Sequence, residues 1–277
     1  MESTVRTIYG SHIETCRRLN RPFNVLPNST LNQKFSVHEN TLPGPNEYPV
    51  MGYIAIGNKG ASYEVTADNY VLTTPLPHLP RDASLYNFLP FVIRTTDNDL
   101  DSAERMKYRV RVPMVINGTN YVAYYLKTLP IANVIPTVEL RNVNGDSITS
   151  AVFTPSVSDL SPTPPDISTT NLNNPSGDYL VSTAKVEFVL DQVDISNIMD
   201  ACAILYGDPR YAVINEIALC TGVDKVVQGT FGGTTSNYTD TIATQVAAFI
   251  SQYHALSPST TEVRITLDIG AVEPLLV

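Results

Sequence analysis

The chain has 277 residues, 43% of them apolar and only 16% charged, with 18 Lys and Arg against 27 Asp and Glu for a net charge of −9. That length buries a core without difficulty, and an acidic balance with no basic run or stripe excludes the electrostatic footprint of a nucleic-acid binder. No window approaches the roughly 18 apolar residues of a membrane-spanning helix. The opening MESTVRTIYGSH lacks the apolar stretch of a signal peptide, so neither membrane insertion nor secretion is expected.

Residues 1–48 read as an extended N-terminal arm. Ser11 and Glu14 suit a capping box for a short helix to about Leu19. Beyond it, proline and asparagine punctuate scattered large apolar residues such as Phe23 and Phe35, which suits a segment that packs along its own domain or a neighbouring subunit. A β-rich domain is expected over 49–153. Tyr53–Ile56 forms a short buried strand, and Gly57-x-x-Gly60 makes a turn that lacks the spacing of a phosphate loop. The prolines at 75, 77 and 80 hold the backbone extended, and an aromatic block with Tyr86, Phe88 and Phe91 follows.

The acids Asp97, Asp99 and Asp101 alternate, but a calcium loop counted from Asp97 would place Ser102 and Tyr108 where Gly and Glu are required. Asp101 with Glu104 instead suits the start of a short helix. On a strand Lys107, Arg109 and Arg111 share one face, where they are expected to be paired with carboxylates or solvated rather than to touch phosphate. Asn117-Gly118, between two Val- and Tyr-rich runs, predicts a type I′ hairpin, and Asn144-Gly145 predicts a second hairpin. Residues 154–178 are a Pro/Ser/Asn-rich loop or linker, the one expected domain boundary of that kind.

The remaining residues, 179–277, read as a smaller α+β lobe with two helices. Tyr179–Leu190 alternates as a strand, and Asp194–Tyr206 carries apolar residues at helical spacing before Gly207. Tyr211–Cys220 reads as a buried strand, followed by a Gly/Thr-rich loop. Asp240–Tyr253 is expected to be an amphipathic helix, with Ile242, Val246, Phe249 and Ile250 on one face. Val263, Ile265, Leu267 and Ile269 alternate as a half-buried strand. The expected fold class is α+β, mainly β: an antiparallel, hairpin-built sheet over about 50–153, then the α+β lobe.

Catalytic signatures are absent from the pattern. His12, His38, His78 and His254 are far apart, and there is neither a nucleophile elbow nor a zinc-binding helix motif. Cys16, Cys202 and Cys220 are odd in number and lack metal spacing, so free thiols in a reducing compartment are expected. The glycosylation triplets at Asn28, Asn117 and Asn237 are then chance matches. Glu216, alone in the apolar run NEIAL, suits a catalytic acid, an edge residue or half of an inter-subunit pair. No enzyme activity, cofactor or metal is expected.

The block TPLPHLPRDASLYNFLPFVIRTTDNDL, with YRVRV and the hairpin NGTNYVAYYLK, resembles virion structural proteins of large contractile-tailed bacteriophages. YGDPRYAVINEIALCTGVDK is similar to a strand pattern in the same proteins, one that also occurs in baseplate and tail-fibre attachment proteins. The resemblance spans about 51–270. It implies a structural subunit, made in the host cytoplasm and located in the virion tail, that joins other virion proteins and copies of itself in a ring. A baseplate position is the first expectation and the neck or collar the second. It implies no catalytic residues. Phe23, Phe35, Pro75, His78, Tyr86, Phe88, Phe91 and Glu216 are the candidate interface residues, with the arm and the 154–178 loop as contact segments. Two other classes compete: a glycan- or receptor-binding β module using tyrosine platforms, and a hydrolase built on Asp97, Asp99, Asp101 and Glu216.

Overall fold

The computed structural model describes residues 3–68, 71–164, 175–231 and 233–276. In chain order the first elements are β1 (Ser3–Arg6), α1 (Ile8–Arg18), α2 (Leu31–Phe35), β2 (Val50–Gly57) and the hairpin β3 (Ala61–Val65) with β4 (Val71–Pro75). Then come β5 (Phe88–Leu89), β6 (Val92–Thr95), α3 (Ser102–Arg105), β7 (Tyr108–Ile116) and β8 (Thr119–Thr128). They are followed by β9 (Thr137–Asn144), β10 (Ser147–Val152), β11 (Pro175–Asp191) and α4 (Gln192–Tyr206). The chain ends with β12 (Val213–Ile214), β13 (Glu216–Phe231), β14 (Thr234–Ser251), β15 (His254–Ala255) and β16 (Glu262–Leu276). The fold is α+β and mainly β. No helix among the described residues is long and apolar enough to cross a membrane.

Two compact units divide the chain, and both are discontinuous. The first comprises Met1–Leu129 and Val189–Val263, the second Pro130–Phe188 and Arg264–Val277. The expected boundaries at 48, 153 and 178 therefore do not coincide with this division. Segment 49–153 contributes to both units, and so does 179–277.

The first unit holds an eight-stranded sheet. Its main path runs β1-β14-β13-β2-β8-β6, with β5 beside β2 and β7 beside β8. The hairpin β7–β8 turns through Asn117 (φ 49°) and Gly118 (φ 81°), the two positive angles of a type I′ turn. In the second unit β9 and β10 form the other expected hairpin, within a four-stranded sheet ordered β10-β9-β11-β16. There Asn144 pairs with Ser147, so the turn residues are Gly145 and Asp146. Only the glycine has positive φ, at 60°, which places it at the first central position, as in a type II′ turn.

The predicted helix over Asp240–Tyr253 is instead the second half of β14. Residues 240–251 are buried on both faces, between β1 and β13, and a strand covered on both sides loses the alternation that marks strands in sequence. The Thr, Ile and Val content fits the pleated geometry. The Gly/Thr-rich stretch before it is also not a free loop. It forms the paired ends of β13 and β14, which run in register from Val226 opposite Thr239 to Phe231 opposite Thr234. The other expected helix is present as α4. Asp191 caps it by accepting from the Val193 and Asp194 N–H groups, and Gly207 ends it.

Residues 1–48 are an integral part of the first unit, not an arm. Strand β14 carries extra residues opposite β13, at 243–244 and at 247, and Ala243 has φ +50°. These bulges leave backbone groups outside the β13 ladder, and the N-terminal segment takes them up. Asn32 donates to the Thr241 carbonyl (2.8 Å) and accepts from the Thr244 N–H (2.9 Å). Thr7 donates its hydroxyl to the Val246 carbonyl (2.5 Å) and its N–H to the Ala247 carbonyl (2.9 Å). Thr7 also caps α1, in place of the predicted Ser11. Helix α2 starts at a Thr30–Gln33 capping box and buries Leu31 in the main core.

Asn32 is nearly inaccessible to solvent. Replacing it with Ala strands a carbonyl and an N–H of β14 in the core, and each buried polar group left unpaired costs about 1–3 kcal/mol. Asn32→Ala is expected to lower the unfolding free energy by that order, read as a lower urea midpoint with an unchanged m-value. Deleting residues 1–40 is expected to abolish the cooperative transition.

Candidate functional site

Glu216 opens β13 and is 1% exposed. Its carboxylate accepts the N–H groups of Tyr86 (2.9 Å), Asn87 (3.0 Å) and Lys59 (3.2 Å). His78 Nε2 lies 3.1 Å from its Oε2. One side chain thus ties together β13, the turn after β2 and the loop that precedes β5. Gly57 and Gly60 make this possible. A Cβ on Gly57 would lie 2.5 Å from Glu216 Oε1, and one on Gly60 2.6 Å from Glu216 Cβ.

The His78 ring is sandwiched between Tyr86 (centroids 4.2 Å apart) and Phe249 (3.8 Å). Its Nδ1 lies 3.4 Å from the Asp82 carboxylate, within ion-pair range but without hydrogen-bond geometry. Two of the residues singled out from sequence, His78 and Glu216, therefore meet. Their partners are loops of the same chain, so the pair is an internal clamp and not half of an inter-subunit contact.

The other candidates divide by burial. Phe23 packs with Ile13, Cys16 and Ala243. Phe88 lies in the main core, where Phe35 stacks on Tyr125 at 4.3 Å and meets Phe88 edge-on at 5.2 Å. Phe91 is fully buried. Phe23, Phe88 and Phe91 are thus core side chains, and the expectation that they anchor a neighbour is corrected. The reason is that the aromatic block flanks β5 and β6, which pair with β2 and β8 inside the sheet. Pro75 ends β4 and is partly exposed. Tyr86 is half-exposed and donates its hydroxyl to the Pro77 carbonyl. Of the 154–178 loop, residues 154–164 are exposed; the expected contact segment over 165–174 lies outside the described residues.

The alternating acids diverge. Asp99 accepts from Arg111 Nη2 (2.8 Å) and from the Tyr124 hydroxyl (2.7 Å). Asp101 caps α3 through the Ala103 and Glu104 N–H groups. Lys107, just before β7, and Arg109 and Arg111 within it pair with carboxylates: Lys107 with Glu104, Arg109 with Asp224 and Arg111 with Asp99. Sequence reasoning missed Asp240, which has no solvent exposure and accepts the N–H of Val110 at 2.6 Å. Val110 is a β-branched residue at φ +55°, so the buried carboxylate holds a strained backbone in place. Asp240 opens the stretch that reads as an amphipathic helix, and no local signal marks its partner. No group of three or more His, Cys, Asp or Glu among the described residues is placed to hold a metal ion.

A cavity of about 500 Å³ adjoins the clamp, lined by Asn58, Lys59, Tyr63, Asn87, Tyr206, Arg210, Tyr211 and Val213. The Asn87 amide donates to Asn58 Oδ1 (2.6 Å) and to the Tyr206 hydroxyl (2.9 Å), and Asn58 donates to the Tyr211 carbonyl (3.1 Å).

Fold and site together define a mainly β protein whose charged side chains clamp its own loops around a tyrosine-lined cavity. The chain matches a family of unknown function, DUF7208, over residues 1–277, and it belongs to that family. No curated protein and no solved structure matches it.

Glu216→Ala removes the common acceptor of three N–H groups and leaves His78 unpaired on that side. The expected cost is about 3–5 kcal/mol, as for a broken buried pair. It is read as a lower melting temperature together with faster amide exchange at Lys59, Tyr86 and Asn87. Burial raises the Asp224 pKa, but hydrogen bonds from Arg109 and Tyr53 outweigh that effect and hold it below the ordinary carboxylate value. Folded protein therefore binds this proton less readily than unfolded chain. The stabilisation is complete above about pH 4 and disappears as pH falls through the folded value. Acid unfolding curves should be shallower for Asp224→Asn than for the natural chain.

Proposed function

We propose that the chain is a structural subunit of a tailed-phage virion that assembles into the tail baseplate, with the neck or collar as the competing position. The observation that carries this reading is strand β10. It lies at the edge of the four-stranded sheet, and all six of its residues, SITSAV, are exposed. It bears no lysine, glutamate or proline, the residues by which edge strands avoid pairing with other chains. Ile148 stands opposite Val143, and Val152 lies further along the same face of β10; all three side chains are exposed. An uncharged, apolar edge suits strand addition to a neighbouring subunit. The resemblance of 74–127 and 206–225 to virion proteins supplies the location, and the low charge content supports a surface suited to burial against partners. On this reading the protein is not an enzyme, and its partners are virion proteins and further copies of itself in a ring.

Gold-labelled antibody imaging of intact particles tests the location. Label at the distal tail is expected, label at the head–tail junction moves the subunit to the neck, and absence from particles overturns the proposal. Ile148→Lys places a charge on the exposed edge at a stability cost of about 0.5 kcal/mol or less. The variant should fold normally and fail to enter particles.

A further inference from the structure

We propose that the tyrosine-lined cavity beside Glu216 binds a pyranose ring bearing an acidic substituent. The inference stands apart from the virion reading, because it rests on the first unit alone and its test reads binding only.

The cavity's volume falls within the range of about 300–1,000 Å³ typical of small-molecule sites. Tyr206 and Tyr211 form an angled aromatic corner, with ring centroids 5.2 Å apart and planes inclined at 47°. Both are exposed, and so is Tyr63 on the lining. Tyrosine combines an apolar ring face, suited to the C–H face of a sugar, with a hydroxyl for hydrogen bonding.

The hydrogen-bond inventory around this corner is specific. The Tyr206 hydroxyl accepts from Asn87 and the Tyr63 hydroxyl accepts from Asn215 (3.2 Å), so each keeps its own proton to donate. Asn87 uses its side-chain nitrogen on Asn58 and Tyr206, which leaves its side-chain oxygen Oδ1, distinct from its backbone carbonyl, as an acceptor. Two free donors and one free acceptor match adjacent sugar hydroxyls, each of which can both give and take a hydrogen bond. A proline-rich peptide, another ligand that aromatic clefts take, offers carbonyl acceptors but few N–H donors for the Asn87 side-chain oxygen.

Charge selects among sugars. Arg210 is occupied by Asp208 at 2.6 Å, whereas Lys59 has no carboxylate partner among the described residues. Its ammonium group suits a carboxylate on the sugar. The walls are also set before any ligand arrives. Glu216 fixes the backbone of Lys59 and Asn87, and the Asn58 N–H donates to the Asn87 carbonyl (3.2 Å). A preformed site avoids the entropy cost of ordering loops on binding.

The test is binding of the full chain to a printed array of pyranosides that spans neutral, uronic-acid and sialic-acid termini, followed by titration of the best-bound sugar and its neutral analogue. Saturable binding to acidic members is expected. Tyr211→Ala, a substitution at an exposed side chain, should weaken it about tenfold. Lys59→Gln should reduce the preference for acid over neutral sugar about threefold and leave neutral binding unchanged. No binding anywhere on the array, equal binding by Tyr211→Ala, or displacement of the sugar by a proline-rich peptide overturns the proposal.

Discussion

One carboxylate sets the geometry of a whole end of the first unit. Glu216 starts a central strand at a point where two loops cross it, and its oxygens are the only acceptors that the Tyr86 and Asn87 N–H groups find there among the described residues. A buried charge is tolerable only when such donors surround it, and here three N–H groups and an imidazole do so. The neighbouring sequence is constrained in turn. Two glycines give the carboxylate room, and two aromatic rings cover the histidine that faces it.

The same logic recurs through the sheet. Arg109 clasps Asp224 through two nitrogens, Arg111 meets Asp99 and Lys127 meets Asp194, each pair with at least one buried partner. Asp240 cradles the strained backbone at Val110. A chain with few charges thus commits many of them to internal fastening. What remains outside is polar but weakly charged, and at β10 it is not charged at all. Burial also governs the thiols: it pushes Cys202 up to about 12 and Cys220 higher still, so both stay protonated in the core at neutral pH.

Local chemistry was legible where it is local. The Asn117-Gly118 turn, the Gly207 cap of α4 and the alternation of β16 depend on residues a few positions apart, and each is where the sequence places it. The Gly145 turn slipped by one residue because Asn-Gly can present its glycine at either central position. The misreading at Asp240–Tyr253 has a different origin. Once a strand is covered on both faces, its apolar residues carry no period, and helical spacing emerges by chance. Residues 1–48 misled for a related reason: short elements with many prolines look like an arm unless the bulges they serve, two hundred residues away, are known. Glu216 stood out as a polar residue in an apolar run, yet backbone N–H groups, its chief partners, have no sequence signature.

The bulged strand β14 has a temporal consequence. Its partners β1 and α1 come far earlier in the chain, and Thr7 lies 239 residues before the carbonyl it serves at Val246. During synthesis the segment around Thr7 must therefore wait for 239 further residues before its hydrogen bond to Val246 can close. The chain between, meanwhile, departs to form most of a second unit and returns. Such distant pairing slows folding and prolongs the exposure of unpaired strands.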